Sequence, residues 1–257
     1  MRDSAVLPDQ RREAILAALA REGRIVAAQL AAALGVSDDT IRRDLDELAA
    51  DGRVRRVRGG ALPAASPTPS RLVDRRAKHV PEKARIAQRA AALLADEPVL
   101  TLSGGTTTLA IAQRLAQAGG SHTVLTTSPE VAVALADAPG EVLLAGGRLE
   151  PDSRTTVGAE ALDAVRRVRA GVAVLGACSL HAAAGLTTHC SGEAEVLRAM
   201  ALSADRLMIV ADAEKFGSTA AHVVAPAADV AQLITDDAAP EPELAALRAL
   251  GVEVVVV

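Results

Sequence analysis

Aromatic side chains are almost absent from this chain of 257 residues: it has no Trp and no Tyr, and Phe216 is the only Phe. Proteins that hold single strands or flipped bases stack them on aromatic platforms, so the composition argues against both activities. Duplex reading survives, because groove contacts rest on Arg, Asn, Gln and Thr. Cysteine is scarce as well. Cys178 and Cys190 are the only two; they share no metal-ligand spacing with the histidines and cannot form a disulfide framework. They read as reduced side chains of an intracellular protein, and neither a metal nor any other cofactor is expected. No apolar run approaches a membrane span, and the N-terminal MRDSAVLPDQRRE lacks the apolar core of a signal peptide. The expectation is a cytoplasmic protein with no membrane partner. Positive charge is not in excess either, the formal net charge being −4. A nucleic-acid binder of this composition must concentrate its basic residues locally.

One stretch does so: residues 36–61, VSDDTIRRDLDELAADGRVRRVRGGA. Ser37 stands where an N-cap belongs, with Asp38 and Asp39 beside the positive end of the helix dipole. Ile41, Leu45 and Leu48 recur at helical spacing and give one apolar face. Thr40, Arg42 and Arg43 point elsewhere, and Asp51-Gly52 ends the helix. Residues 53–58 then set four arginines around Val54 and Val57 with no acid, and Gly59-Gly60 closes the run. Upstream, Pro8 starts a helix with Ile15, Leu16 and Leu19 on one stripe, ended by Gly23. Residues 26–34 read as a second helix with Leu30 and Leu34 inward. Two helices, a tight turn, a helix with Thr and Arg outward and a basic hairpin make a winged helix-turn-helix. Ser37, Thr40, Arg42 and Arg43 are the groove-side candidates; Arg55, Arg56 and Arg58 are the candidates for phosphate contact. The expected partner is a double-stranded DNA operator.

Residues 61–70, ALPAASPTPS, have linker composition. They divide the chain into an N-terminal unit (1–60), a linker (61–78) and a C-terminal unit (79–257). Within the linker and just past it, residues 71–79 form a charged approach segment, read as hinge or dimer contact. From Pro81 onward strands alternate with helices, which implies an α/β fold with a mostly parallel sheet covered on both faces. In such sheets ligands sit beyond the carboxyl ends of the strands. The loop LSGGTTT, residues 102–108, follows a buried strand and opens a helix. Gly104 and Gly105 free the backbone to aim N–H groups at an anion, and Thr106 and Thr107 add hydroxyls where the helix dipole favours negative charge. An ordinary strand-to-helix turn with Thr caps has the same sequence. Lys215, in ADAEKFG after another apolar strand, is a second candidate.

The pattern VS..TIRRDL..L...G...R..GGA resembles the signature of the deoxyribose-operon repressor (DeoR) family of bacterial transcription regulators, and the resemblance continues through most of the chain. It implies a C-terminal domain similar to ribose 5-phosphate isomerase that binds phosphorylated sugars. It implies that Gly104, Gly105, Thr106 and Thr107 hold the phosphate with Lys215 nearby, and that bound ligand weakens DNA binding. Family loops reading DGGTT, TNS, GADG and D..K.G correspond to Ser103 and its glycines, to Thr127 and Ser128, to residues 176–179 with Cys178, and to Asp212, Lys215 and Gly217. Ser103 and Cys178 replace carboxylates, Thr127 replaces an amide, and Leu197 stands where a lysine is common. These departures suggest a changed or weakened ligand site and count against isomerase chemistry, which needs a positioned base. The leading reading is a repressor of carbohydrate genes, not an enzyme, that forms a dimer or tetramer and responds to a phosphorylated sugar or related anion. The alternatives are an isomerase-like enzyme with a DNA-binding appendage, and a regulator whose C-terminal unit only oligomerises.

Overall fold

The computed structural model describes residues 8–22, 25–50, 53–57, 59–63 and 71–257. The expected N-terminal tail, the helix ends at Gly23 and Asp51-Gly52, Arg58 and most of the Pro-rich linker lie outside these residues. Among the described residues no helix is long and apolar enough to cross a membrane.

The N-terminal unit comprises α1 (Pro8–Glu22), β1 (Ile25–Val26), α2 (Ala27–Leu34), α3 (Asp38–Ala50), β2 (Val54–Val57) and β3 (Gly60–Pro63). Its core is the apolar set expected from periodicity: Ile15, Leu19, Ile41, Leu45, Leu48 and Val54, with Leu16, Leu30 and Leu34 partly buried against it. One expectation changes. Val26 is a strand residue, not the first of α2, because Ile25 and Val26 pair antiparallel with Ala61 and Gly60. Two β-branched residues favour the extended conformation, and β1 completes a sheet of order β1-β3-β2. That pairing requires glycine at 60, where a Cβ would lie 1.7 Å from the Ile25 carbonyl oxygen.

The remaining chain runs α4 (Leu72–Arg76), α5 (Val80–Leu93), β4 (Val99–Leu102), α6 (Thr106–Ala118), β5 (His122–Thr126), α7 (Pro129–Leu135), β6 (Gly140–Leu144), β7 (Arg148–Glu150), β8 (Thr155–Val157), α8 (Ala159–Arg166), β9 (Ala170–Gly176), β10 (Ser179–His181), β11 (Gly185–Thr188), α9 (Ser191–Leu202), β12 (Ala204–Ala211), β13 (His222–Ala225), β14 (Gln232–Thr235), α10 (Glu241–Ala249) and β15 (Glu253–Val256). Seven strands form one parallel sheet of order β15-β14-β12-β9-β4-β5-β6. Ile86, Ile111, Leu115 and Val131 cover one face from α5, α6 and α7. Val165, Met200, Leu244 and Leu247 cover the other from α8, α9 and α10.

The strand order reverses between β4 and β9: β5 and β6 follow β4 in one direction, while β12, β14 and β15 follow β9 in the other. Ligands of open α/β sheets bind at such switch points. Over this edge lie two small antiparallel additions, the hairpin β7–β8 and the sheet β10-β11-β13. Sequence periodicity does not resolve these strands of three or four residues, since so short a run carries too little alternation.

Candidate functional site

Two surfaces carry chemistry. The first is α3 with its wing. Gly35, at a φ of 65°, ends α2, and three residues later α3 begins. Ser37 caps it, accepting the Thr40 N–H at 3.1 Å, and its hydroxyl meets the Thr40 hydroxyl at 2.8 Å. The acids of α3 are largely neutralised within the unit. Asp44 is buried against Arg11, Glu47 receives Arg12 at 2.8 Å, and Asp46 receives Arg56 at 2.7 Å. Arg42 pairs with Asp38 at 2.7 Å. Arg43 and Arg55 are exposed, and among the described residues no ion pair engages either. Besides Asp46, Arg56 donates to the Gly60 carbonyl at 2.9 Å, so it braces the wing against α3.

The second is a cavity of about 260 Å3 at the switch point of the large sheet. Its floor is the carboxyl ends of three strands: Gly104 and Gly105 after β4, Gly176 to Cys178 at the end of β9, and Ala211, Asp212, Glu214 and Lys215 around the end of β12. Thr106 and Thr107 open α6. No side chain caps α6, whose N-cap is Gly105 at a φ of 143°, a conformation that favours glycine. The free N–H groups of the first turn are left for a ligand. Thr108 is turned away, donating to the Gly105 carbonyl at 3.1 Å.

Three expected residues do not line this cavity. Ser103 is 1% exposed; its hydroxyl accepts the Gly176 N–H at 3.0 Å and so ties the ends of β4 and β9 together. Thr127 is buried, with its carbonyl accepting the Thr156 N–H at 2.7 Å. Ser128 caps α7, accepting the Val131 N–H. Cys178 and Lys215 do line the cavity. Burial pushes the Cys178 thiol up, helped by the charge of Glu193, so it is a neutral wall residue and not a thiolate.

The cavity also takes residues that the sequence pattern did not place. Arg75 and Lys78 come from α4 and the turn after it, and Lys83 from α5. Lys83 is buried and donates to the carbonyls of Arg75, at 2.8 Å, and Lys78, at 2.6 Å. Burial lowers its pKa, with Lys215 and Arg75 adding to the effect and Asp212 opposing it. Glu214 faces Lys78 at 3.4 Å and Lys215 at 3.7 Å. Burial raises its pKa, but those lysines and His79 outweigh this and leave it below the usual value. His79, Asp212 and Glu214 could offer ligand atoms within 4.8 Å of one another, yet the surrounding lysines oppose a cation there. Opposite in sign are Glu150, Asp152 and Glu193. Glu193 accepts the Thr188 hydroxyl at 2.7 Å, and burial raises its pKa.

Comparison with known proteins gives this arrangement a family. Residues 11–66 match the DeoR-like helix-turn-helix domain, and residues 78–237 match the DeoR C terminal sensor domain. The chain belongs to the DeoR family. A protein of Escherichia coli O157:H7 provisionally named as the aga operon transcriptional repressor is 33% identical over 96% of this chain and 93% of its own. The transcriptional regulator GlpR of Haloferax volcanii is 32% identical over 97% of this chain and 98% of its own. The transcriptional repressor GlcR of Bacillus subtilis is 32% identical over 89% and 88%. Among solved structures, ribose 5 phosphate isomerase A of Neisseria gonorrhoeae is similar at 18% identity and a TM-score of 0.38 over 53% of each chain. The acids Glu150 and Asp152 enter the cavity from the hairpin β7–β8, and Glu193 enters from α9.

Proposed function

We propose that the protein is a DNA-binding repressor of carbohydrate genes whose affinity for a duplex operator is set by a phosphorylated sugar or related anion in the switch-point cavity. The observation that carries the reading is the pairing of an uncapped α6 N-terminus behind Gly104 and Gly105 with four cationic side chains in one cavity, Arg75, Lys78, Lys83 and Lys215. Backbone N–H groups at a helix N-terminus favour an anion, and the acids Glu150, Asp152 and Glu193 suit hydroxyl groups, which donate strongly to carboxylates. Relatives named for the aga operon and for repression support the carbohydrate assignment.

In this reading residues 1–60 read DNA, with Ser37, Thr40, Arg42 and Arg43 toward the groove and Arg55 and Arg58 toward phosphates. Residues 61–78 connect, and residues 79–257 sense and oligomerise. Operators of helix-turn-helix proteins mirror a two-fold protein symmetry, so the working form is at least a dimer, and it acts in the cytoplasm on chromosomal DNA. The test has two arms. A panel of sugar phosphates, their unphosphorylated parents and inorganic phosphate is screened by thermal shift; a ligand at about 100 times its Kd adds roughly 2.7 kcal/mol. Duplex binding is measured against salt, where log affinity falls linearly with log concentration. No shift with any phosphate would end the sensor half of the reading, and absence of salt-dependent duplex binding would end the whole.

A second reading keeps one specific support. Glu193 is a part-buried carboxyl of raised pKa in the cavity, which is what proton abstraction from a sugar requires. It predicts turnover of ribose 5-phosphate by the full chain, lost in Glu193→Gln. Binding without turnover is the outcome expected of a regulator.

A further inference from the structure

We infer that the ligand of the switch-point cavity is a sugar phosphate in which one hydroxyl is replaced by an apolar group, and that Leu197 is the residue that selects it. The inference rests on the sensor reading above and deepens it, naming which sugar phosphates that site takes.

The cations and the α6 N-terminus suit the phosphate of such a ligand, and Glu150, Asp152 and Glu193 suit its hydroxyls. A third kind of wall remains. Ala177 after β9, Leu186 on β11, Leu197 on α9, Ala211 at the end of β12 and Val224 on β13 all line the cavity. They belong to one packed apolar cluster on the α9 side of the large sheet, whereas α6 packs on the other side through Ile111 and Leu115. The apolar wall is thus built by elements other than the one that opens the phosphate cradle. α9 packs on both β11 and β13, so Leu197, Leu186 and Val224 form one corner.

Two hydroxyls near this corner are committed to the protein. The Thr187 hydroxyl accepts the Ala220 N–H at 2.9 Å, and the Thr188 hydroxyl donates to Glu193 at 2.7 Å. A ligand hydroxyl set against the leucines and Val224 would lose its water without gaining an equal partner. An apolar group there gains burial, and a pocket that fits one added methylene separates ligands by roughly 10–200-fold. One polar atom of the cavity wall is unused. His189 lines the cavity, and its Nε2 is buried without a hydrogen-bond partner. Burial, with His222 nearby, lowers its pKa, so the ring is neutral. An acyl group brings both a methyl for the wall and an oxygen for this nitrogen, so the acylated form is expected to bind most tightly.

Selection falls to Leu197 because of its place on α9. It stands one turn after Glu193, where oppositely charged side chains four residues apart meet. A lysine there would pair with Glu193 and put an ammonium where the wall is now apolar. Leucine leaves Glu193 to the Thr188 hydroxyl and keeps the corner apolar.

The experiment is calorimetry on the full chain. One series of probes differs only at the second carbon of a hexose 6-phosphate: glucose 6-phosphate with a hydroxyl, 2-deoxyglucose 6-phosphate with hydrogen, glucosamine 6-phosphate with an ammonium and N-acetylglucosamine 6-phosphate with an acyl group. A second pair, fructose 1-phosphate and its 6-deoxy form, sets a methyl at the end of the sugar far from the phosphate. Wild type is expected to bind an acylated or deoxy probe at least about tenfold more tightly than its hydroxyl parent. Leu197→Lys is expected to cut that ratio to about threefold or less, and Leu197→Met to keep it. A general weakening of the fold would lower parent and derivative alike and leave the ratio unchanged, so the ratio reports the wall; Leu197→Gln serves if the lysine variant unfolds early. Hydroxyl parents that bind as tightly as every derivative, tightest binding by glucosamine 6-phosphate, or a ratio that survives the polar variants would each overturn the inference. If wild type binds no sugar phosphate at all, the sensor reading itself fails, which is a separate result.

Discussion

Replacing Gly104 by alanine tests how closely the cavity floor is built. A Cβ at this position would lie 2.1 Å from the Thr155 Cγ2 and 3.4 Å from the Ser128 Cβ. Ordinary carbon–carbon contact is about 3.5–4.0 Å, so the two groups must separate by over an ångström. Thr155 cannot give way easily. It is 4% exposed, its hydroxyl bonds Ser153 at 2.8 Å, and it pairs with Glu150 in the hairpin β7–β8. Its β-branched side chain is also stiff at χ1. Overpacking of this kind costs about 1–3 kcal/mol, and for a unit of this size each kcal/mol lowers the midpoint by roughly 2–4 °C. Calorimetry should show Gly104→Ala falling by about 2–12 °C in the transition that sugar phosphates raise. Thr155→Ser removes the offending methyl and keeps the hydroxyl. Alone it costs about 0.8 kcal/mol of lost burial, but combined with Gly104→Ala it should restore most of the midpoint, a strongly non-additive pair. An unchanged midpoint in Gly104→Ala, or additive losses in the double variant, would refute the packing argument.

Four further outcomes follow from the same reasoning. Glu193 has its folded pKa raised, first by burial and further by Glu150, against the Thr188 hydrogen bond and Arg75. A raised carboxyl stabilises the fold below its unfolded pKa and loses that contribution as pH rises through the folded value, so Glu193→Gln should unfold later than wild type at pH 8 and converge with it near pH 4; a constant difference across pH would count against burial as the cause. Asp44→Ala removes a buried acceptor from Arg11 and should destabilise the N-terminal unit by about 1–3 kcal/mol in a denaturant titration, whereas no change would mean the pair contributes only geometry. Arg43→Ala should cost about 1–3 kcal/mol in duplex affinity and relax base preference, read by competition among duplexes, while Arg56→Ala should act through a loosened wing, visible as a lower unfolding midpoint before any DNA is added.

The N-terminal unit was legible because its signals are local. Helical spacing marks Ile41, Leu45 and Leu48, a capping serine marks the start of α3, and paired glycines close the wing. The strands of the large sheet were legible for a similar reason: buried parallel strands read as short apolar runs such as 172–175 and 207–210. What the sequence could not show is which side chains converge. Ser103, Thr127 and Ser128 lie in the right loops, yet all three are buried away from the cavity: the Ser103 hydroxyl accepts the Gly176 N–H at the end of β9, and the Ser128 hydroxyl accepts the Val131 N–H of its own helix. Local spacing carries no information on that choice. Arg75, Lys78 and Lys83 were unreadable as site residues for the opposite reason. Arg75 and Lys78 belong to a charged stretch that looks like linker, and the packing of α4 over α6 accompanies their approach to the cavity, while Lys83 reaches it from α5. A faint signal existed in Lys83, a lysine on the helix that precedes the Gly-rich loop, but without the fold nothing distinguishes it from a surface charge.

The loss of carboxylates at positions 103 and 178 does not by itself imply a weakened site. The cavity still has acids, but they come from other elements and sit apart from the bases. Glu150 and Asp152 belong to the hairpin β7–β8 and Glu193 to α9, while Lys78, Lys83 and Lys215 belong to the turn after α4, to α5 and to the turn after β12, where Asp212 and Glu214 partly offset them. Arg75 is the group whose charge is felt by both clusters, through Glu193 and through Lys83. A ligand with an anion at one end and hydroxyls at the other gains at both ends in one orientation and loses at both when reversed, because like charges would then face each other in a partly desolvated space. A carboxylate at 178 would line the cavity with the α6 N-terminus and repel the very anion that its N–H groups attract. Cysteine there adds no negative charge beside the cations that line the cavity.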